Sequence, residues 1–214
     1  ITLYQFKHSA FCLKTRMALH AKNLKYRVEE ISPALGQIEI FKISGQKQLP
    51  VIMDENGQII SDSSTICEYI DTKNTNNSLF PSDPIHLSQS KIIEDWADTT
   101  MASVCKQALI KSALENPQLR AALLPNELPS SIRGIFEKLP FNNLSKISNV
   151  VLSNKSNIEL QKILESLSKS LINKKFIIGE SLTIADISIA AQLSLLKFPT
   201  SSGPILAGEG CQEY

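Results

Sequence analysis

The sequence contains little histidine and little tryptophan, and it has no excess of charge of either sign. Its 214 residues include three histidines, one tryptophan and four cysteines, and the formal net charge is +1. A near-neutral chain has no electrostatic footprint for nucleic acid or for an anionic membrane surface. The cysteines lie too far apart for the spacing of a metal site: they are Cys12, Cys67, Cys105 and Cys211. We therefore expect neither a metal cofactor nor a nucleic-acid partner.

Long hydrophobic segments are absent as well. No apolar run approaches the ~20 residues that a membrane-spanning helix needs, and the start of the chain does not read as a secretory signal. We therefore expect no membrane span. Unpaired cysteines in a chain of this size are typical of a reducing compartment, which predicts a cytoplasmic protein. The length, with 43% hydrophobic residues, suits one large domain or two small domains with a core.

The start of the chain combines strand and helix patterns. "ITLYQF" is rich in residues that favour a strand, and "LKYRVEEI" predicts a second strand. Between them, residues 10 to about 22 have apolar residues at helical spacing. Strand, helix and strand in this order normally form a parallel βαβ unit. The helical pattern places three basic residues outward: Lys14, Arg16 and Lys22.

A hairpin and a further helix follow a loop and short helix at residues 32–44. In "QLPVIMDENGQIIS" two apolar segments flank an Asn-Gly step, which is a strong hairpin signal. "DSSTICEYI" begins with helix-capping residues and continues at helical spacing. The predicted order is therefore β-α-β-(α)-β-β-α.

The remainder of the chain is predicted to be helical. The polar, proline-containing segment "NTNNSLFPSDP" indicates a linker, and the predicted domains are residues 1–73 and 86–214, joined by residues 74–85. A long helical segment from residue 86 to residue 115 precedes short helices at 117–140, where four prolines occur. "NIELQKILESLSKSLI" predicts an amphipathic helix, and "TIADISIAAQLSLL" predicts a buried one. In the long helical segment, the helical spacing predicts an apolar stripe on or near one face, formed by Leu87, Ile92, Ile93, Trp96 and Met101.

Five residues are candidate functional residues because of their side-chain chemistry and their position. Ser9 and Cys12 lie where the first strand leads into the first helix, so Ser9 can cap that helix or donate a hydrogen bond to a bound thiolate. Cys12 is either a packed small hydrophobe or a redox site. Pro50 opens a strand. Asp62 and Ser63 begin a helix, whose N-terminus can be capped by them or can bind a carboxylate.

The sequence resembles the glutathione transferase superfamily in motifs distributed over residues 1 to about 198. The matching segments are "LYQFKHSAFCLKTRMAL", "QLPV", "SDSSTICEYI" and "GESLTIADISIAA". The resemblance implies an α/β thioredoxin-like N-terminal domain followed by an all-α C-terminal domain. "QFKHSAFC" and the segment around it also resemble the prostaglandin E synthase type 2 group, which has cysteine where this chain has Ser9.

The resemblance implies a site for glutathione as co-substrate. Ser9 would stabilise the glutathione thiolate, as the corresponding serine does in the serine classes. Leu49 would pair with the cysteinyl backbone through a turn in which Pro50 is cis. Asp62 and Ser63 would hold the γ-glutamyl end. Two further residues complete the predicted set: Gln48 at the glycyl end and Phe11 at the mouth of the pocket.

Three functional hypotheses remain open from the sequence. The first is a glutathione transferase that conjugates glutathione to small apolar electrophiles. The second is a thiol transferase or prostaglandin-synthase-like enzyme that uses Cys12. The third is a non-catalytic binding module of the same fold. The resemblance also implies a homodimer. The tail stops where family members usually continue into further helix, so we expect truncation or a disordered end.

In "LTIAD" the residue pattern predicts a capping box. Thr183 would cap the last predicted helix, and the Asp186 carboxylate would accept a hydrogen bond from the Thr183 amide. This motif is expected to serve folding rather than chemistry.

Overall fold

The computed structural model describes residues 1–32, 36–124, 154–203 and 206–211. By their contacts, the residues form two compact units. One unit comprises Ile1–Asp98 with Lys174–Ala191, and the other comprises Thr99–Asn173 with Gln192–Tyr214. The predicted linker at residues 74–85 stays a prediction.

The first unit contains a four-stranded mixed sheet. The spatial order is β2-β1-β3-β4, with β2 parallel and β3 antiparallel to β1, and β4 antiparallel to β3. The predicted βαβ unit and thioredoxin-like order are confirmed. The elements in chain order are β1 (Thr2–Gln5), α1 (Ala10–Ala21), β2 (Arg27–Glu30), α2 (Gly36–Ser44), β3 (Val51–Met53), β4 (Ile59–Ser61) and α3 (Ser63–Lys73).

The β3–β4 connection is the predicted Asn-Gly hairpin. Gly57 has a φ of 79°, a conformation that glycine adopts without a steric penalty. The Asp54 carboxylate accepts hydrogen bonds from the amides of Asn56 (2.8 Å) and Gln58 (2.9 Å), so a buried side chain holds the turn closed. The hairpin fixes where β4 ends and α3 begins.

The core of the first unit lies between the sheet and the helices α1 and α3. Apolar residues of β1, β3 and β4 pack there against α1, α3 and two residues of the helix Ile184–Leu193. A smaller cluster contains Ile31, Ile40 and Val51, with α2 contributing Ile40. The larger cluster is Leu3, Ala18, Leu19, Ile52, Ile60, Ile66, Cys67, Ile70, Leu79, Ile184 and Ile187.

The long helical segment predicted from residue 86 is present with an irregularity. Helix α4 (Pro84–Trp96) runs through a π-helical turn (Ala97–Met101) into α5 (Ala102–Glu115). The predicted apolar stripe is partly wrong, because Ile92 is 68% exposed whereas Ser90 and Glu94 are buried. Helix α6 (Pro117–Ala122) follows, and the other short helices predicted before residue 140 fall outside the described residues.

Two further helices, α7 (Asn154–Ser170) and α8 (Ile184–Leu193), match the predicted amphipathic and buried segments. The Asp186 half of the predicted capping box at the start of α8 is confirmed: the Asp186 carboxylate accepts from the Thr183 amide (2.9 Å), and it also accepts from the Thr183 hydroxyl (2.8 Å). Asp186 also accepts from the Ile177 amide at 2.8 Å, which ties the preceding loop to the helix. None of the helices in the described ranges combines the length and apolar character needed to cross a bilayer.

Candidate functional site

Three turns of the first unit meet at one edge of its sheet. Tyr4 near the end of β1 pairs with Val51 at the start of β3, and Val51 pairs with Ser61 at the end of β4. Adjacent strands lie about 4.8 Å apart, so the three strand ends span about 10 Å. We call this edge the site edge, and its segments are residues 6–9, 49–50 and 62–63.

Ser9 is the N-cap of α1. Its backbone is extended, with φ −77° and ψ 127°, and its hydroxyl oxygen accepts a hydrogen bond from the Cys12 amide at 3.4 Å. Its own amide donates to the Phe6 carbonyl at 3.0 Å, which closes the turn. Among the described residues, the Ser9 hydroxyl proton faces the Cys12 thiol, a weak acceptor, and this hydrogen bond favours the Cys12 thiolate less than burial disfavours it. The Ser9 side chain is half-buried, so a stronger external acceptor can compete with the Cys12 sulfur for the hydroxyl proton.

The surroundings of Ser9 favour a negative charge. The first amides of a helix have no partner within the helix, and the helix dipole is positive there. α1 has no acidic residue in its first turn to offset this. Below the turn, the Arg16 guanidinium donates to Gln5 Oε1 (2.5 Å) and to the Lys7 carbonyl (3.2 Å). The nearby carboxylate of Glu30, which accepts from the Gln5 side chain at 3.0 Å, partly balances this cation.

His8 precedes Ser9 and is a neutral imidazole at physiological pH. Burial, with the nearby charges of Lys7 and Arg16, lowers the pKa of His8 from 6.5 to about 4. Its ring meets the Phe6 ring edge-to-face, with centroids 5.4 Å apart. A neutral ring supplies no full positive charge to a thiolate, which leaves Ser9 and the helix N-terminus as the anion-stabilising groups of this turn.

Cys12 lies beneath the turn rather than in it. The side chain is fully buried, and its sulfur accepts a hydrogen bond from the Phe6 amide at 3.4 Å. Burial raises the pKa of the Cys12 thiol from 9.0 to about 11, against the opposing effect of the Ser9 hydrogen bond. A buried thiol with a raised pKa is a poor nucleophile, and its contacts are those of a packing residue.

The second segment of the site edge contains the cis peptide bond predicted between Leu49 and Pro50. Leu49 is half-buried and Pro50 is buried. Gln48, predicted for the glycyl end, is exposed just before them, and Phe11 is half-buried in the first turn of α1.

The third segment is the N-terminus of α3. Asp62 caps the helix with one carboxylate oxygen, which accepts from the amides of Ser64 (3.1 Å) and Thr65 (3.0 Å). Its backbone φ of 73° is unfavourable for a non-glycine residue, and such conformations concentrate at functional sites. Ser63 is buried, and its hydroxyl makes no hydrogen bond to any residue that the structure describes. The Ser63 hydroxyl is thus the open polar group at this helix start.

A buried charge cluster beside the site edge was not predicted. Lys14 and Lys22 were expected to point outward, but both side chains are 0% exposed, and Arg16 is half-buried. The spacing of apolar residues could not predict this burial, because residues distant in sequence neutralise the charges. Lys14 pairs with Glu94 and Asp98, and Lys22 pairs with Asp71. The sequence did contain one signal: two acidic residues, Glu94 on α4 and Asp98 in the π turn, lie four residues apart. Nothing in the sequence near these two residues connects them to Lys14.

No group of three or more His, Cys, Asp or Glu residues suited to a metal ion occurs within the described ranges. The polar groups that the site edge presents are the hydroxyls of Ser9 and Ser63, the N-termini of α1 and α3, and the backbone at Leu49.

Comparison with known proteins agrees with this arrangement. Residues 3–78 match the family described as glutathione S-transferase, N-terminal domain. Mouse glutathione S-transferase omega-1 is 25% identical over 123 residues, which are 58% of this chain and 51% of that protein. Mouse prostaglandin E synthase 2 is 36% identical over 75 residues, which are 34% of this chain and 19% of that protein. The chain spans about half the length of the curated transferases that it matches.

The fold also matches solved structures. A glutathione S-transferase from Methylobacillus flagellatus KT with GSH bound superposes with a TM-score of 0.61 at 18% identity, covering 91% of this chain and 82% of that one. The matched family covers the whole site edge, from β1 to α3. Residues 3–78 thus match the glutathione S-transferase N-terminal domain family, and the chain resembles glutathione S-transferases in sequence and in fold.

Proposed function

We propose that the protein binds glutathione at the site edge, stabilises its thiolate with the Ser9 hydroxyl, and adds the sulfur to a small apolar electrophile. The observation that carries this proposal is the state of the Ser9 hydroxyl. Its oxygen accepts from the Cys12 amide, and within the described part of the chain its proton faces the buried Cys12 thiol, a weak acceptor that a bound thiolate can outcompete. A hydroxyl that accepts one hydrogen bond becomes a better donor for another.

The dimensions of the site edge support a tripeptide ligand. Three residues in an extended conformation span about 10 Å, which is similar to the distance of about 10 Å across β1, β3 and β4. A peptide lying across the edge would place its sulfur at Ser9, its central backbone at Leu49 and a carboxylate at Ser63. Pairing of an extended peptide with a free strand end is a common recognition mode.

The Ser9 hydroxyl and the N-terminus of α1 can account for the free energy needed to form the thiolate. A free thiol with a pKa of about 8.5 is only about 3% ionised at pH 7, and a pKa of about 6.5 would make it about 75% ionised. That change corresponds to roughly 2.7 kcal/mol. A hydrogen bond to a charged group contributes about 1.5–3 kcal/mol, and a helix N-terminus adds about 0.3–1 kcal/mol. The Ser9 hydroxyl and the start of α1 together supply this amount.

A role for Cys12 as nucleophile is disfavoured by its burial and its raised pKa. With serine at residue 9, the sulfur that reacts belongs to glutathione. The thiol proton leaves to solvent, and the thiolate attacks an electrophilic carbon. As the carbon–sulfur bond forms, the bond from that carbon to its leaving group breaks and the leaving group departs to solvent with the electron pair. Ser9 keeps its own proton throughout.

Two measurements test the proposal. Glutathione is titrated into the protein by calorimetry, and conjugation to a small aromatic electrophile is then compared between wild type and Ser9→Ala. We expect binding by the wild type and at least a tenfold fall in conjugation for the variant, equivalent to about 1.4 kcal/mol. Ser9→Thr, which keeps a hydroxyl and a helix cap, is the matched control and should retain most activity. A folded wild type that does not bind glutathione would refute the proposal and favour a non-catalytic module.

We further propose a homodimer in the cytoplasm. Ile85 and Ile92 are 67% and 68% exposed and lie seven residues apart on α4, so they share one face of that helix. All four cysteines are buried, and none forms a disulfide bond within the described part of the chain, which suits a reducing compartment. Sedimentation of the wild type and of an Ile92→Glu variant checks the dimer, and the variant is expected to be monomeric.

A further inference from the structure

Lys14 joins three elements of the first unit through a single buried ammonium. Its Nζ lies 2.6 Å from Glu94 Oε1 on α4 and 2.6 Å from Asp98 Oδ2 in the π turn. It also donates to Ser64 Oγ at the start of α3, at 3.0 Å. A lysine ammonium has three donors, so all three are used. We call Lys14, Ser64, Glu94 and Asp98 the lysine cluster.

Burying the charges of the lysine cluster carries a large desolvation cost. Burial disfavours the charged form of Lys14, but the carboxylates of Asp98 and Glu94 outweigh burial and raise its pKa above the ordinary value. Two carboxylates share one ammonium, and Asp98 Oδ1 is buried without a hydrogen-bond partner among the described residues. Well-packed apolar residues often replace such buried ion pairs without loss of stability, so stability alone does not account for the cluster.

The place of the lysine cluster suggests another role. Lys14 lies five residues after Ser9 on α1, and Ser64 directly follows Ser63 on α3. The Lys14–Ser64 hydrogen bond therefore connects the helix that begins at Ser9 to the helix that begins at Ser63. Ser64 is also held by its amide, which donates to Asp62 at 3.1 Å. The cluster thus spans the two ends of the proposed glutathione site.

We propose that Lys14 is a positioning residue, which fixes the N-terminus of α3 relative to Ser9 and thereby sets the affinity for the γ-glutamyl end of glutathione. This inference rests on the proposed function. A ligand anchored by its sulfur at one helix start and by its carboxylate at another requires a fixed spacing between them. Misplacement of about 1 Å reduces reaction rates by about 100-fold, and binding groups likewise have to be held within about 0.5 Å of their productive geometry.

The chain offers a matched control in Lys22. Its side chain is also 0% exposed, and its Nζ pairs with Asp71 at 2.8 Å and donates to the carbonyls of Asn76 (2.9 Å) and Asn77 (3.2 Å). Lys22 directly follows the last residue of α1, at the opposite end of that helix from Ser9. It shares the chemistry and burial of Lys14 but has none of its connections to the site edge.

The test compares Lys14→Met, Ser64→Ala and Lys22→Met with the wild type. Urea unfolding measures stability, and calorimetry measures the glutathione Kd at a temperature where every variant used is folded. We expect Lys14→Met to raise the Kd at least tenfold and Ser64→Ala at least threefold, with Lys22→Met within twofold of wild type. Ser64→Ala removes only the link to α3, so it carries the test if Lys14→Met does not fold. The pKa of the bound thiol should stay unchanged in Ser64→Ala, since Ser9 is intact.

The outcomes separate this inference from the proposed function. If the wild type binds glutathione and the folded Lys14→Met and Ser64→Ala variants bind it as tightly as Lys22→Met does, the positioning role is overturned and the proposed function stands. If the wild type does not bind glutathione, the proposed function is refuted and the positioning role is refuted with it.

Discussion

Replacing Cys12 separates a transferase that activates glutathione from an enzyme that uses its own thiol. Cys12 is fully buried, and its pKa is raised from 9.0 to about 11. Below pH 9 this lowers its thiolate fraction about 100-fold, before any effect of access. We therefore expect alkylation of Cys12 in the folded protein to be at least 100-fold slower than that of free cysteine. We also expect Cys12→Ala to conjugate glutathione within twofold of the wild type.

The same substitution should weaken the fold. It removes a buried sulfur and leaves the Phe6 amide, which now donates to that sulfur, without a partner, at a cost of about 1–3 kcal/mol. Peptide mass spectrometry after iodoacetamide treatment measures the labelling, and urea unfolding measures stability. Cys67→Ala is the matched control, because Cys67 is also 0% exposed but lies in the core cluster away from the turn. Rapid labelling of Cys12, or loss of conjugation in a folded Cys12→Ala, would refute the reasoning.

Two further predictions concern stability and protonation. Asp186→Ala removes three hydrogen bonds, from Ile177 and Thr183 to the Asp186 carboxylate. We expect the free energy of unfolding, measured in urea, to fall by about 3 kcal/mol. A fall of less than about 1 kcal/mol would contradict this prediction. The lowered pKa of His8, about 4, means that the unfolded chain binds more protons between pH 6.5 and 4. The stability contributed by His8 is therefore present above pH 6.5 and is lost as pH falls towards 4. In His8→Gln this acid-side slope should decrease, and NMR titration should place the wild-type pKa below 5; a value near 6.5 would disprove the burial argument.

Features that depend on neighbouring residues could be predicted from the sequence. The Asn-Gly step at 56–57 forms the hairpin because glycine adopts the positive φ that the turn needs. The Asp186 carboxylate accepts from the Thr183 amide because their spacing of three brings the carboxylate back to the helix start. Ser9 caps α1 for the same local reason. The predicted cis bond before Pro50 came from the family resemblance instead, since few X-Pro bonds are cis.

Features that depend on distant residues could not be predicted. Lys14 follows the outward positions of an amphipathic helix, yet it is buried because Glu94 and Asp98, about 80 residues later, neutralise it. Ile92 fits an apolar stripe but is exposed, since the buried face of α4 carries Ser90 and Glu94.

For the candidate site, the sequence identified the helix start at Asp62. It did not indicate that the Asp62 carboxylate would be occupied by the amides of Ser64 and Thr65. That geometry reduces the expected contact of Asp62 with a ligand ammonium and leaves Ser63 as the main open group of α3. The assignment of these residues to glutathione binding stays a prediction.

The most direct test of the central claim is the pKa of the thiol of bound glutathione, followed by the ultraviolet absorbance of the thiolate as pH is raised. We predict a pKa near 6.5 in the wild-type complex and a rise of at least one pH unit in Ser9→Ala, with Ser9→Thr close to wild type. A bound thiol that titrates near 8.5 in the wild type, or at the same pH in Ser9→Ala, would contradict the role assigned to Ser9.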